Sequence, residues 1–276
     1  MKVFAVARDL LLEAATRKWM LALVVGVTLA LGLIGLSLRF DVVDGALTAT
    51  RLFGKPVNHD IQAADVVLRP LFQSAAYVVF YGGMGFGILT TSDFAPTLLS
   101  PGRVEFMVAL PVRRYQLLAG TLVGVLVISS LAALYGAGGL VLILGLKTGL
   151  WNMGPLWAAL LASVSFTGVY AAMLATAVFV RSAALSTAVG AFVFGLGIVA
   201  SYRAEVVRAL APGVLRTVIS LVLLVVPRVQ TLAEASADLA VRAPAPESLW
   251  GLVGGVLVFA AAAFAIGAWQ FERKDV

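Results

Sequence analysis

Side chains suited to catalysis are sparse in this sequence. The chain has no cysteine and a single histidine, His59, which stands beside Asp60. Metal sites usually take three or four ligands, so we expect His59 to be solvated. The serines in the long apolar stretches have no His or Lys in the same stretch to activate them as nucleophiles. We therefore expect no catalytic residue and no metal site in this chain.

A cluster of four glycines at 82, 83, 85 and 87 could suggest a phosphate-binding loop. The cluster lies in an uncharged stretch and does not fit G-x-x-x-x-G-K-[ST], in which backbone amides and a lysine hold the phosphates. That pattern occurs nowhere in the sequence. Small residues at such spacings instead allow membrane helices to pack closely. We expect no cofactor to bind in this chain.

Polar side chains recur every four residues at Gln73, Tyr77 and Tyr81. This spacing places them on one face of a helix. Such a face can line a path for an amphipathic solute, or it can form hydrogen bonds between helices. The spacing by itself leaves both interpretations open.

The connection 93–114, DFAPTLLSPGRVEFMVALPVRR, contains signals for two short helices. Asp93 or Thr97 can cap the first, the Pro-Gly pair at 101–102 favours a turn, and Pro111 ends a second helix over 103–110. The alternative is an ordinary interfacial helix, tethered by the arginine pair at 113–114.

The elements that carry these residues are six long apolar runs without a single charged residue or histidine. At about 1.5 Å per residue, a helix of 20 residues crosses a bilayer core of about 30 Å. The composition agrees, with 61% hydrophobic residues and a mean hydropathy of +1.02. The sequence predicts one all-α membrane domain with spans at 19–38, 72–92, 115–146, 155–180, 183–202 and 249–269.

A chain that moves ions by itself usually needs an ionisable group at membrane depth, and these runs contain none. We therefore expect the energy for any transport to come from another subunit. The net charge of +6 sits mostly at the ends of the runs, where anionic lipid headgroups are the expected counterpart. We expect no nucleic-acid partner.

Basic residues set the predicted orientation. With both termini in the cytoplasm, ten Lys/Arg fall in 49 inner residues and ten in 87 outer residues. The higher inner density predicts cytoplasmic termini in a cell inner (plasma) membrane. All five tryptophans lie within a few residues of a predicted span end, as expected of interfacial anchors.

Two polar segments are expected to be helical in part. Within 1–18, Phe4, Ala7, Leu11 and Ala14 form an apolar stripe, which predicts an amphipathic helix at the membrane interface. The outer segment 203–248 contains the apolar stretch 213–226, which is shorter than the ~17 residues that a span needs. We expect this stretch to form a re-entrant or interfacial helix.

The stretch VEFMVALPVRRYQLLAGTLVG, residues 104–124, resembles the segment that leads into the third span of type-2 ABC exporter permeases. This family includes the permease of nitrous-oxide reductase maturation and many drug and lipid exporters. VLLVVPRVQTL before the last span is similar to another family segment, and the layout of the whole chain also resembles the family. Many members carry an acidic pair and Gly-Thr where this chain has Pro-Gly-Arg at 101–103.

The resemblance implies that the chain is the membrane subunit of an exporter of apolar or amphipathic substrates. It also implies a second copy or a related permease as partner, and a separate subunit that binds ATP and Mg. The segment 93–114 would be the coupling helix, and the stripe Gln73, Tyr77 and Tyr81 would line the substrate path. The implied contacts with the ATPase are Arg103, Glu105, Pro111, Arg113 and Arg114.

Two alternatives belong to other classes. An ion-coupled carrier or a channel would transport without ATP or a partner. A membrane scaffold would not transport at all.

Overall fold

The computed structural model describes residues 2–43, 46–52, 55–58, 62–100, 113–244 and 248–273, with the side chains of 38–67 left out of the description. Helices dominate this part of the chain, as predicted. In chain order they are α1 (Lys2–Thr16), α2 (Lys18–Ser37), α3 (Ala64–Tyr77), α4 (Gly83–Thr91), α5 (Phe94–Leu98), α6 (Arg114–Thr148), α7 (Gly154–Val180), α8 (Ala183–Ser201), α9 (Arg203–Ala209), α10 (Val214–Val225), α11 (Val229–Ala240) and α12 (Leu249–Arg273).

A small antiparallel sheet between α2 and α3 is absent from the sequence-based expectations. Its strands are β1 (Leu38–Val43), β2 (Ala46–Leu52), β3 (Lys55–Asn58) and β4 (Gln62–Ala63). The strands are ordered β1-β2-β3, and β4 also pairs with β2. These strands are short and carry no long alternating pattern, so the sequence contains no clear signal for them.

Seven helical stretches in the described chain are long and apolar enough to cross a membrane. They are Lys18–Ser37, Leu68–Leu98, Arg114–Thr148, Gly154–Val180, Ala183–Ser201, Val214–Ala240 and Leu249–Arg273. Six of them coincide with the predicted runs to within a few residues at most ends. The chain is a multi-pass membrane protein. The seventh, Val214–Ala240, lies in the segment that the sequence predicted to contain only a short helix.

Helix α7 forms the centre of the bundle. In the most apolar part of α7, 78% of the residues are buried inside the protein, whereas none are buried in the corresponding part of α2. Helix α2 therefore lies at the periphery. Helix α6 runs antiparallel to α7, since Gly138 lies near Leu156 while Val127 and Val164 line one groove. Helix α12 runs parallel to α7, because Gly168 lies near Val256 and Gly267 near Ala175.

The first two helices pack along α6. Helix α1 contacts Gly120 through Val6 and Gly124 through Leu10, and α2 contacts Gly139 through Leu31. Helix α1 buries Val6, Ala7, Leu10 and Ala14. The predicted stripe was therefore only half correct, because Phe4 is 71% exposed. The buried face is turned toward α6, which the sequence of α1 alone did not specify.

The seventh candidate span is two helices rather than one. Helix α10 ends at Val225 and α11 begins at Val229, with Pro227 between them. A proline cannot donate the backbone hydrogen bond that a continuous helix requires. The break packs against the middle of α7, where Pro227 lies beside Gly168. The other end of α11 lies at the start of α7, where the Asn152 side chain donates to Ala240 O at 2.8 Å.

Close packing at the end of α11 depends on a glycine. A Cβ on Gly154 would come within 2.5 Å of the carbonyl oxygens of Leu239 and Ala240. These are backbone atoms and have no rotamer through which to move away. We call this side of the bundle the Asn152 end, and the opposite side, where α1 meets α2, the Arg17 end.

Candidate functional site

A polar strip runs between α3 and α11. It consists of Tyr77 and Tyr81 on one side and Gln230, Glu234 and Asp238 on the other. The two tyrosine rings stack with a centroid distance of 6.2 Å and an interplanar angle of 10°. The backbone is π-helical over Val78–Gly82, the segment that directly follows Tyr77 and includes Tyr81, and such π-helical turns are often found at functional sites. The predicted stripe residues Tyr77 and Tyr81 therefore share one face.

Hydrogen bonds join the two sides of the strip. The Tyr81 hydroxyl donates to Gln230 Oε1, and Gln230 Nε2 donates to Glu234 Oε1 at 3.0 Å. Asp238 follows Glu234 by four residues on α11 and so lies on the same side of that helix. Gln73, one turn before Tyr77, is half-buried.

Helix α11 is held in place by a cap from another helix. Ser201 Oγ, at the end of α8, accepts hydrogen bonds from the backbone amides of Gln230 at 3.0 Å and Thr231 at 3.2 Å. The first amides of a helix have no partner within it, and the side chain of Arg228 supplies no cap here. The strip thus depends on α8 as well as on the two helices that form it.

Glu234 is exposed on the strip, and Asp238 is partly exposed. No cation pairs with either carboxylate within the described residues. Both lie in the candidate span Val214–Ala240, where a charged side chain requires water, a counter-charge or a partner. The six predicted runs contain no ionisable group, but the bundle also includes α11, which lies outside those runs and carries Glu234 and Asp238.

Sequence reasoning missed Gln230, Glu234 and Asp238, although a signal was present. These residues are spaced by four, and the intervening positions are mostly small or apolar. That pattern predicts an amphipathic helix with one polar face. It was overlooked because Pro227 ends the apolar stretch before it, and the rest was assigned to a polar outer segment.

A second polar cluster lies at the Arg17 end. Arg17 forms ion pairs with Glu13 at 2.6 Å and with Asp93, and its guanidinium lies 4.6 Å above the ring of Phe94. Burial lowers the pKa of Arg17, but the hydrogen bonds and charges of Glu13 and Asp93 outweigh this and raise it. Trp19 packs edge-on against Phe94 in the same cluster. We call Glu13, Arg17, Trp19, Asp93 and Phe94 the Arg17 cluster.

The Arg17 cluster corrects two expectations. Asp93 directs its side chain to Arg17 and does not cap α5, where no side-chain cap bond is present. Trp19 contacts Phe86 and Phe94 and is not a free interfacial anchor. The other four tryptophans are more than half exposed, as anchors should be.

The predicted ATPase-contact residues are only partly described. Arg103, Glu105 and Pro111 lie outside the described residues. Arg113 is exposed, and its backbone amide donates to Gln116 Oε1 at 3.1 Å, which starts α6. Arg114 donates from Nη1 to Phe271 O at 3.1 Å and so joins the start of α6 to the end of α12.

Polar residues of α7 have a structural role. Ser163 and Ser165 are buried and donate to carbonyl oxygens of their own helix, at 3.0 and 2.8 Å. Such bonds satisfy a hydroxyl in an apolar environment. No group of three or more His, Asp or Glu side chains in the described part of the chain is placed to hold a metal ion.

No family model and no curated protein matches this chain. The function must therefore be inferred from the sequence pattern and the geometry of these two polar clusters.

Proposed function

We propose that this chain is the membrane subunit of an ATP-binding cassette exporter, powered by a separate subunit that binds and hydrolyses ATP. The observation that carries the proposal is the polar strip, with an exposed carboxylate inside a candidate membrane span. A charge at that position is costly when it faces lipid and is acceptable when it faces a water-filled path. The resemblance of residues 104–124 to exporter permeases supports the same function.

The strip also supports a dimer. In a single copy, Glu234 lies on an exposed face of the bundle. A second copy of this chain, or a related permease, would enclose that face and form a path between two strips. Each half would then contribute stacked tyrosines and carboxylates, to which an amphipathic substrate can bind. The exported cargo would accordingly be apolar or amphipathic.

For the membrane topology we propose six full crossings and one re-entrant pair. Helix α11 has 12 residues and is therefore about 18 Å long, too short to cross about 30 Å. It begins beside the middle of α7 and ends beside the start of α7. Helices α10 and α11 would then enter from the Asn152 end and return to it. With six crossings both termini lie on the same side, and the higher density of basic residues there supports our proposal that this side is the cytoplasm.

The Arg17 end would dock the ATPase subunit. Helix α5 is fixed there, since Phe94, Ala95 and Leu98 are buried and Asp93 is held by Arg17. A short helix fixed in this way can transmit a push from a partner into α6 and α7 without bending. We propose that the segment 93–114 is the coupling element, with Arg103, Glu105, Pro111, Arg113 and Arg114 at its contact surface.

One observation favours a second candidate, an ion-coupled carrier. Glu234 and Asp238 are ionisable groups in a candidate span, of the type that carriers use to move protons or cations. This candidate needs neither ATP nor a partner. The two candidates therefore differ in their energy source.

Two experiments test the proposal. The tagged chain, solubilised from its native membrane, should bring down an ATPase, and Arg103→Glu or Glu105→Arg should weaken that association while Arg208→Glu should not. In vesicles, the lone chain should be inert, and flux of a fluorescent amphiphile should require the captured ATPase and ATP. Flux driven by a proton gradient through the lone chain would instead establish the carrier.

A further inference from the structure

A cleft at the Asn152 end has a lining unlike that of the polar strip. Its volume is about 320 Å³, within the range of small-molecule sites at about 300–1,000 Å³. Two arginines line it, Arg69 from α3 and Arg242 from the turn after α11, together with Trp151 and Asn152. The rest of the lining is apolar and includes Leu68 and Phe72. Among the described side chains, no acidic residue lines it.

The cleft is held in shape by hydrogen bonds between its two walls. Arg242 Nη2 donates to Trp151 O at 2.9 Å, and the Asn152 side chain donates to Ala240 O at 2.8 Å. Arg242 has a positive φ of 56°, a rare conformation for a residue with a side chain. These contacts fix the position of one guanidinium and leave its other N–H groups available, since a guanidinium has five.

The charges of the two arginines are not balanced by any carboxylate in the described part of the chain. Both are exposed, and neither forms an ion pair with a described carboxylate. Guanidinium groups bind phosphate and carboxylate oxygens strongly, often through two parallel hydrogen bonds. Two of them beside apolar side chains suit an anion that carries an apolar part.

The position of the cleft favours a lipid. Arg69 stands at the start of the candidate span Leu68–Leu98, and Trp151 is 52% exposed beside it. Exposed tryptophans at the ends of spans mark the membrane–water boundary, which is where lipid phosphates lie. We infer that this cleft binds the headgroup of an anionic phospholipid, with its phosphate between Arg69 and Arg242 and its glycerol region on the apolar wall. This inference does not depend on the proposed transport.

The test is a binding titration with the full chain in detergent micelles. The probe is phosphatidylglycerol labelled at the end of an acyl chain, followed by fluorescence anisotropy. The double variant Arg69→Gln, Arg242→Gln should bind at least about tenfold more weakly, because hydrogen bonds to charged groups are among the strongest in proteins. The matched control is Arg208→Gln, Arg228→Gln, which removes two exposed arginines elsewhere and should leave the affinity unchanged.

Competition identifies the ligand. Unlabelled phosphatidylglycerol should displace the probe, whereas phosphatidylcholine should do so poorly and inorganic phosphate should not at matched concentration. Equal displacement by inorganic phosphate would overturn the lipid assignment. So would equal weakening in the control pair, or undiminished binding by the double variant. If the double variant does not fold, each single variant is tested instead. Each should bind the probe about threefold more weakly, which is half of the roughly tenfold effect when expressed as free energy.

Discussion

The Arg17 cluster and the polar strip use charge in opposite ways. At the Arg17 cluster one guanidinium is paired with two carboxylates and covered by an aromatic ring. On the strip Glu234 is linked to the stacked tyrosines through Gln230, and no cation among the described residues pairs with Glu234 or Asp238. Paired, packed charges hold elements together, whereas charges without a counter-charge remain available to something that enters and leaves. The first region is thus suited to fix helices, and the second to contact a mobile solute.

The largest expected effect comes from removing the arginine of the Arg17 cluster. Arg17→Gln should lower the free energy of unfolding by about 2 kcal/mol. This value lies between the ~0–1 kcal/mol that an exposed ion pair contributes and the ~3–5 kcal/mol that breaking a buried ion pair costs. The intermediate value follows from side-chain exposures of 19% for Arg17 and 45% for Asp93. Thermal unfolding in detergent measures it, with the exposed Lys18→Gln as control. Equal melting temperatures for the two variants would contradict a stabilising role.

The polar strip should respond in the opposite manner to loss of charge. Glu234→Gln should leave the free energy of unfolding within about 0.5 kcal/mol of the original, since the residue is exposed. It should lower ATP-driven flux in vesicles by about tenfold, or about 1.4 kcal/mol in the transport barrier. Glu205→Gln on α9 is the matched control. A variant that loses stability but retains flux would assign Glu234 to the structure alone.

The cap supplied by α8 connects the strip to the bundle. Ser201→Ala should cost about 1 kcal/mol, the usual effect of losing a helix cap, and Ser201→Thr should restore most of it. The loss should be local, with faster amide hydrogen exchange at Gln230 and Thr231, the two amides that Ser201 accepts from. Unchanged exchange at these amides would show that another group caps α11.

The smallest effect is expected at the tyrosine hydroxyl. Tyr81→Phe removes the donor to Gln230, whose amide still donates to Glu234. The expected cost is about 0.5 kcal/mol, at the low end for a hydrogen bond, because the ring and its stacking on Tyr77 remain. Thermal unfolding of Tyr81→Phe measures this cost. The control is Tyr115→Phe, which changes an exposed tyrosine on α6. A much larger loss would mean that the strip is mainly a structural contact.

The membrane helices were largely predictable from the sequence. Burial in a bilayer requires an unbroken apolar run, so the sequence itself reports each crossing, as it does for α7 and α8. The face of an amphipathic helix was less predictable. In α1 both Phe4 and Val6 are apolar, and only the position of α6 determines that Val6 is buried and Phe4 exposed.

The candidate site was half predictable. The spacing of Tyr77 and Tyr81 places them together because both are on one continuous helical stretch. Their partners Gln230 and Glu234 lie about 150 residues further along the chain, and no local pattern indicates that distant residues meet. The same holds for Arg17 and Asp93, which come from different polar connections.

The sequence by itself determined that this chain resides in a membrane, where its main crossings lie, and that no nucleotide motif accompanies them. These properties follow from local composition and chain length. Only the tertiary structure decided that Pro227 rests against the middle of α7, that α11 brings carboxylates into the bundle, and that Arg69 and Arg242 share a cleft. Such features depend on contacts between segments far apart in the chain, which are set by the packing of whole helices.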